Sequence, residues 1–188
     1  GRGLQAFTEM SARIMGNPLL VVDNSYSPLA KASPAHTSNE AVQAILSTNP
    51  FTEDTIDLLK NIVLNSFAEG GDRSDPVKAA NDKLGCEILI QPITIHSIEV
   101  GFLIMPGVLA PIRSGDPKCF AMLSGLIAQE LQKDEIFQGS ISLGGYFLAG
   151  LLEENGLTSE LIARRMSYLS FQPLDEFAVV VLDSAGHD

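Results

Sequence analysis

Apolar residues recur at helical spacing from Leu4 to Met15, through Phe7, Met10 and Ile14, until Gly16-Asn17-Pro18 stops the run. This spacing predicts a first helix. Leu19 to Val22 is then apolar without interruption, Asp23 to Ser27 is rich in turn formers, and Leu29 to Ala32 is a second short run. A β-hairpin is expected there. From Ser38, Ala41, Val42, Ile45 and Leu46 mark one face of a helix that Asn49-Pro50 ends. Thr52 is placed to cap the next helix, whose stripe is Ile56, Leu59, Ile62, Val63 and Phe67, with Gly70-Gly71-Asp72 as its stop.

Beyond that loop the period changes. Val77 to Ala80 reads as a short strand. Cys86, Ile88 and Ile90 alternate with Glu87, Leu89 and Gln91, and Ile98, Val100, Phe102 and Ile104 alternate with Glu99, Gly101, Leu103 and Met105. Period two with a turn at His96-Ser97 predicts a long antiparallel hairpin with one face on a core. Asp116-Pro117 starts a long helix, with Phe120, Leu123, Ile127 and Leu131 as its stripe, reaching to about Gln138. Because Ile136 and Phe137 extend the stripe, this helix packs either partly on a second copy of the chain or wholly on its own sheet. The pattern thus describes an α+β domain with an antiparallel sheet of about five strands and helices inserted between them.

The last fifty residues differ in character. Helical spacing is expected from about Leu143 to Glu154 and from Thr158 to Leu169, and Phe177 to Leu182 is an unbroken apolar strand. One strand makes no sheet, so its partners are expected elsewhere: the edge of the first sheet, a second molecule, or a segment outside this chain. Gly1-Arg2-Gly3 lacks an initiator Met and the end follows closely on that strand, which suggests a piece of a longer protein.

Twelve Lys and Arg against 23 Asp and Glu give a net charge of −11, with the basic residues scattered. Such a surface repels a polyanion, so DNA contact is expected only through another domain. No apolar run is long enough for a membrane span, and the N-terminus lacks a signal-peptide layout, so a cytoplasmic location is expected. Cys86 and Cys119, both within apolar segments, read as reduced, buried thiols.

The order of hairpin, helices, three-stranded unit and final helix resembles PAS/GAF sensory domains. Asn17-Pro18-Leu19-Leu20-Val21-Val22-Asp23 is similar to their opening strand and Gly101-Phe102-Leu103-Ile104-Met105 to their last. In the tail, residues Tyr146 to Glu154, Ile162 to Leu169 and Phe177 to Leu182 resemble the start of the central domain of PucR/CdaR-type bacterial regulators. That family places a sensor before a GGDEF-like domain lacking the cyclase signature and a C-terminal helix-turn-helix. The resemblance implies a sensor over residues 1–115, a connecting helix over 116–138 and the truncated start of the GGDEF-like domain over 139–188. It also implies a regulator whose helix-turn-helix is not in this chain.

Catalytic motifs are not found. His36, His96 and His187 lack metal-ligand spacing to Cys, Asp or Glu, so no metal site is expected. Gly70-Gly71-Asp72-Arg73 is not a phosphate-binding loop, and Ser142-Leu143-Gly144-Gly145 is not a nucleophile elbow. Glu53-Asp54 suits the positive end of a helix dipole. No enzyme activity and no cofactor are expected. The remaining candidate site is the space between sheet and helices, walled by the sheet face of Cys86, Ile88 and Ile90 or by its alternate, and by the helix bearing Asn61 and Asn65, with Asn65 and Tyr26 as polar contacts. The expected function is signal sensing in a homodimer, in which a small-molecule effector or a change of dimer packing repositions the helix near residues 117–138. A purely structural dimerisation module and an enzyme fragment are the alternatives.

Overall fold

The computed structural model describes residues 2–67, 75–95 and 98–133. Its elements follow the order α1 (Arg2–Met15), β1 (Leu19–Asp23), β2 (Pro28–Ala32), α2 (Glu40–Ser47), α3 (Glu53–Phe67), β3 (Val77–Asn81), β4 (Cys86–Ile95), β5 (Ile98–Pro106) and α4 (Asp116–Gln132). The expected turn at His96-Ser97, the end of the last helix and the helices and strand expected from 143 to 182 lie outside the described residues.

The five strands form one antiparallel sheet in the order β2-β1-β5-β4-β3. Placing β1 inside the sheet, between β2 and the central β5, explains the unbroken run Leu19 to Val22: all five residues of β1 are buried. Alternate side chains leave a strand on opposite faces. Leu19 and Val21 therefore join Leu89, Ile93, Leu103 and Met105 beneath α1 and α4. Leu20 and Val22 join Ile88, Ile90, Phe102 and Ile104 beneath α2 and α3. The molecule is a three-layer α+β sandwich with a hydrophobic core on each side of the sheet.

This corrects the one-faced reading of the β4–β5 hairpin. Leu89, Ile93, Leu103 and Met105 are buried as completely as the residues on the other face. The cover is α4, whose Phe120, Ile127 and Leu131 are buried, with Ser124 Oγ donating to the Pro92 carbonyl at 3.0 Å. A second correction concerns Cys119, which is exposed on α4. It precedes the inward-facing Phe120 and points off the buried stripe. Both cysteines are free.

Local chemistry fixes the joints. Asn39 caps α2 by accepting from Val42 N at 3.0 Å and donates to the Leu84 carbonyl at 2.7 Å. Thr52 Oγ1 accepts from Thr55 N at 3.3 Å at the start of α3, as its sequence position predicts. Between the two helices Phe51 is fully buried, and Lys31 Nζ lies 5.2 Å from its ring centre. The same ammonium donates to the carbonyls of Ile45 and Thr48, which ties strand β2 to the end of α2. Burial holds the Lys31 pKa below its ordinary value.

Candidate functional site

Helix α3 lies over the β3 edge of the sheet. Its inner face is Ile56, Leu59, Ile62 and Val63, all buried. Asn61 and Asn65, one turn apart, lie on the exposed side of the helix, beside Leu58. Opposite them, β3 runs into the turn Asp82 to Gly85, which Gly85 closes at a φ of 60°. Asn81 Oδ1 accepts from Leu84 N at 2.9 Å and holds that turn.

Between helix and turn is a cleft of about 380 Å³. Leu58, Ile62, Ala79 and Ile88 supply apolar lining, and Asn61, Asn65 and Ser66 line it from the helix. Ala80, Asn81, Asp82 and Lys83 line it from the strand and turn. The polar groups are not equivalent. Ser66 Oγ already donates to the Ile62 carbonyl at 2.8 Å, and Asn81 is committed to its turn. Asn61 and Asn65 are exposed and make no side-chain hydrogen bond to another described residue. Their amides offer four N–H donors and two acceptor oxygens over an apolar floor, the composition of a small-molecule site.

The expected site residues divide. Asn61, Asn65 and Ile88 line the cleft. Tyr26, Ile90 and Cys86 do not. Ile90 is fully buried in the core under α2 and α3. Tyr26 sits at a positive φ of 61° in the β1–β2 turn, which folds its ring flat onto Phe102, with centroids 5.8 Å apart and planes within 2°. Cys86 is half-buried at the start of β4. Desolvation pushes its thiol pKa up, against a smaller opposing effect of a hydrogen bond with the Gly107 backbone. A thiol so held is a poor nucleophile at neutral pH. The turn residues Asn81, Asp82 and Lys83 were not expected at the site, although Asn-Asp before a glycine is itself a hairpin signal.

Among the described residues no group of three or more His, Cys, Asp or Glu is placed to hold a metal, and no helix is long and apolar enough to cross a membrane. His36 is exposed; His96 and His187 lie outside the described residues.

No family model and no curated protein matches the chain. Solved structures do. The cofactor-binding GAF domain of the nutrient sensor CodY from Clostridium difficile is 10% identical, with a TM-score of 0.44 over 68% of this chain and 83% of that one. A GAF domain/HD domain protein from Geobacter sulfurreducens is 13% identical, with a TM-score of 0.40 over 69% of this chain and 94% of the other. The fold is α+β, with a five-stranded antiparallel sheet between two pairs of helices.

Proposed function

We propose that this chain is the sensing part of a bacterial transcription regulator of the PucR/CdaR type, and that it binds a small polar metabolite in the cleft between α3 and the β3–β4 turn. The observation that carries the reading is the pair of uncommitted amides, Asn61 and Asn65, above the apolar floor of a cleft of about 380 Å³. That volume lies near the lower end of the range of about 300–1,000 Å³ for small-molecule sites, which favours a compact ligand. The two amides neither titrate nor act as nucleophiles near neutral pH, and Ser66 Oγ is held by the Ile62 carbonyl, so these groups suit binding; Asp82 and Lys83 on the turn add one charge of each sign for a polar ligand. The regulator type draws its support from residues 146–154, 162–169 and 177–182 in the sequence. The net charge of −11 favours DNA contact through another domain.

The test is native mass spectrometry and thermal shift on the 188-residue chain against a panel of small polar metabolites, repeated with Asn61→Ala/Asn65→Ala. Both positions are exposed, so the double variant is expected to fold as the parent does. A metabolite that raises Tm and binds the variant at least about tenfold more weakly supports the reading, since two lost hydrogen bonds are worth about 1–3 kcal/mol. A panel without a binder, or a binder indifferent to both substitutions, overturns it in favour of a structural module.

A further inference from the structure

The two edges of the sheet are not alike. On β2 the backbone of Lys31 faces outward, and the Gln5 side chain from α1 occupies both of its groups: Nε2 donates to the Lys31 carbonyl at 3.0 Å and Oε1 accepts from Lys31 N at 3.4 Å. That amide stands where the peptide group of a neighbouring strand would, and it closes the edge. On β3 no cover of that kind is found among the described residues.

Which groups β3 leaves open follows from the ladder. Gly107 N donates to the Glu87 carbonyl at 2.8 Å, so Glu87 turns its backbone toward β5. Alternation along β4 then turns Leu89 toward β5 as well, and Ile88 and Ile90 toward β3. Pro92 shares their parity but lies beyond the last pair of β3, where its missing N–H breaks no ladder bond, and its carbonyl accepts from Ser124. Ile88 pairs with Ala79 and Ile90 with Val77, so these two β3 residues bond to β4, while Lys78 and Ala80 turn N–H and C=O outward. Neither of those backbones is bonded to another described residue. The Lys78 ammonium does not cover the edge, because Glu87 on β4 holds it at 2.9 Å.

This open edge borders the cleft. Ala80 is one of its walls, although alternation puts the Ala80 methyl on the opposite face from Ala79, which packs into the core beneath α3. What Ala80 gives the cleft is therefore backbone. Lys78 and Ala80 repeat at about 6.7 Å, the spacing of alternate residues in any extended chain.

We infer, building on the ligand-binding reading of this cleft, that its ligand is a short peptide held in extended form as an added strand beside β3. The first and third residues of a tripeptide face Lys78 and Ala80, each exchanging an N–H and a C=O with its partner. The middle residue turns its own N–H and C=O away from β3. A primary amide returns both at once, and Asn61 and Asn65 each carry one on the α3 side of the cleft. Asp82 and Lys83, past the end of β3, supply a charge of either sign for a charged terminus, and Ile62, Ala79 and Ile88 form an apolar floor for a side chain. A cleft of about 380 Å³ restricts the peptide to a few residues.

Isothermal titration calorimetry of the 188-residue chain with unblocked tripeptides of Ala, Ser and Val, trialanine first, tests this beside free amino acids and non-peptide metabolites of similar size. Ala80→Pro removes one outward N–H, and proline is tolerated on an edge strand where that group faces solvent, so an unchanged circular dichroism spectrum is expected. The variant is expected to bind the best tripeptide at least about tenfold more weakly. N-methylation of the third residue's amide needs no protein variant and is expected to weaken binding to the parent by a similar factor, because a methyl replaces the proton given to the edge. A tripeptide indifferent to either change overturns the inference. So does self-association of the chain that Ala80→Pro abolishes, which would give the edge to a second copy. A non-peptide metabolite that binds through Asn61 and Asn65 while no tripeptide does also overturns it, and leaves the metabolite-binding reading standing; a chain that binds neither class sinks both.

Discussion

Asn17 grips Ala110 through both atoms of its amide: Nδ2 donates to the Ala110 carbonyl at 2.8 Å, while Oδ1 accepts from Ala110 N at 3.1 Å and from Leu109 N at 2.9 Å. The residue is fully buried between α1 and β1, and its partners lie between β5 and α4. One side chain thus fastens the joint that leads into the sheet to the joint that leads out of it. Replacement by Ala leaves two N–H groups and one carbonyl without their partner, at a cost of about 2–4 kcal/mol. Asn17→Ala is therefore expected to lower the urea midpoint strongly, and Asn17→Asp nearly as much, because a carboxylate would face the Ala110 carbonyl. A midpoint unchanged by Asn17→Ala would mean that water replaces the amide there.

Gly101 on the central strand β5 faces the backbone of the neighbouring β1, paired with Asp23. A Cβ at this position would stand 2.0 Å from the Val22 carbonyl oxygen and 3.0 Å from the Asp23 α-carbon, both backbone atoms in a paired strand. Neither can swing aside as a side-chain tip would. Gly101→Ala is expected to cost about 3 kcal/mol or more, well beyond the usual penalty for an added methyl, because β1 and β5 must separate. Thermal unfolding measures it; a Tm within about 2 °C of the parent would show that the strands yield easily.

These two residues also show how far the sequence could be read. Strands and helices were legible because period two and period 3.6 alternate cleanly along the chain, and Pro, Gly and Asn mark most of the joints. The second buried face of β4 was not. Glu87 and Gln91 interrupt it, and only the position of α4 on top of Leu89 and Ile93 shows that the face is covered. The candidate cleft was partly legible for the same reason: Asn61 and Asn65 stand out as polar residues on a helix that also carries an apolar stripe. Asn81, Asp82 and Lys83 look like an ordinary turn until α3 is laid beside them. Nothing in the pattern around Tyr26 reveals a positive φ, and that conformation sends the ring to Phe102 and away from the cleft.

Tyr26 therefore offers a test that separates stability from binding. Its ring is buried and stacked, so Tyr26→Ala is expected to cost about 3 kcal/mol through lost packing, with the left-handed backbone no easier because Ala keeps the Cβ. It does not line the cleft. A metabolite that binds the parent is expected to bind folded Tyr26→Ala with a Kd within about threefold. A tenfold loss in a variant shown to be folded would place Tyr26 at the ligand.

Lys31 predicts a pH dependence whose sign follows from its environment. The ammonium is half-buried, bonded to the Ile45 and Thr48 carbonyls, and burial holds its pKa below the ordinary 10.5. Between that lowered value and 10.5 the unfolded chain binds more protons at this site than the folded one, so folding stability rises with pH through the window and is flat on either side. Lys31→Met keeps the apolar stem over Phe51 and removes the titration. The stability difference, parent minus variant, is expected to grow in the parent's favour as pH rises through the window. Paired urea titrations at half-unit intervals from pH 8 to 10.5 measure it with the other titrating groups cancelling in the difference. Parallel curves would mean that the ammonium is as well solvated folded as unfolded. A difference that shrinks with pH would mean that the two carbonyls and the Phe51 ring stabilise the charge by more than burial costs.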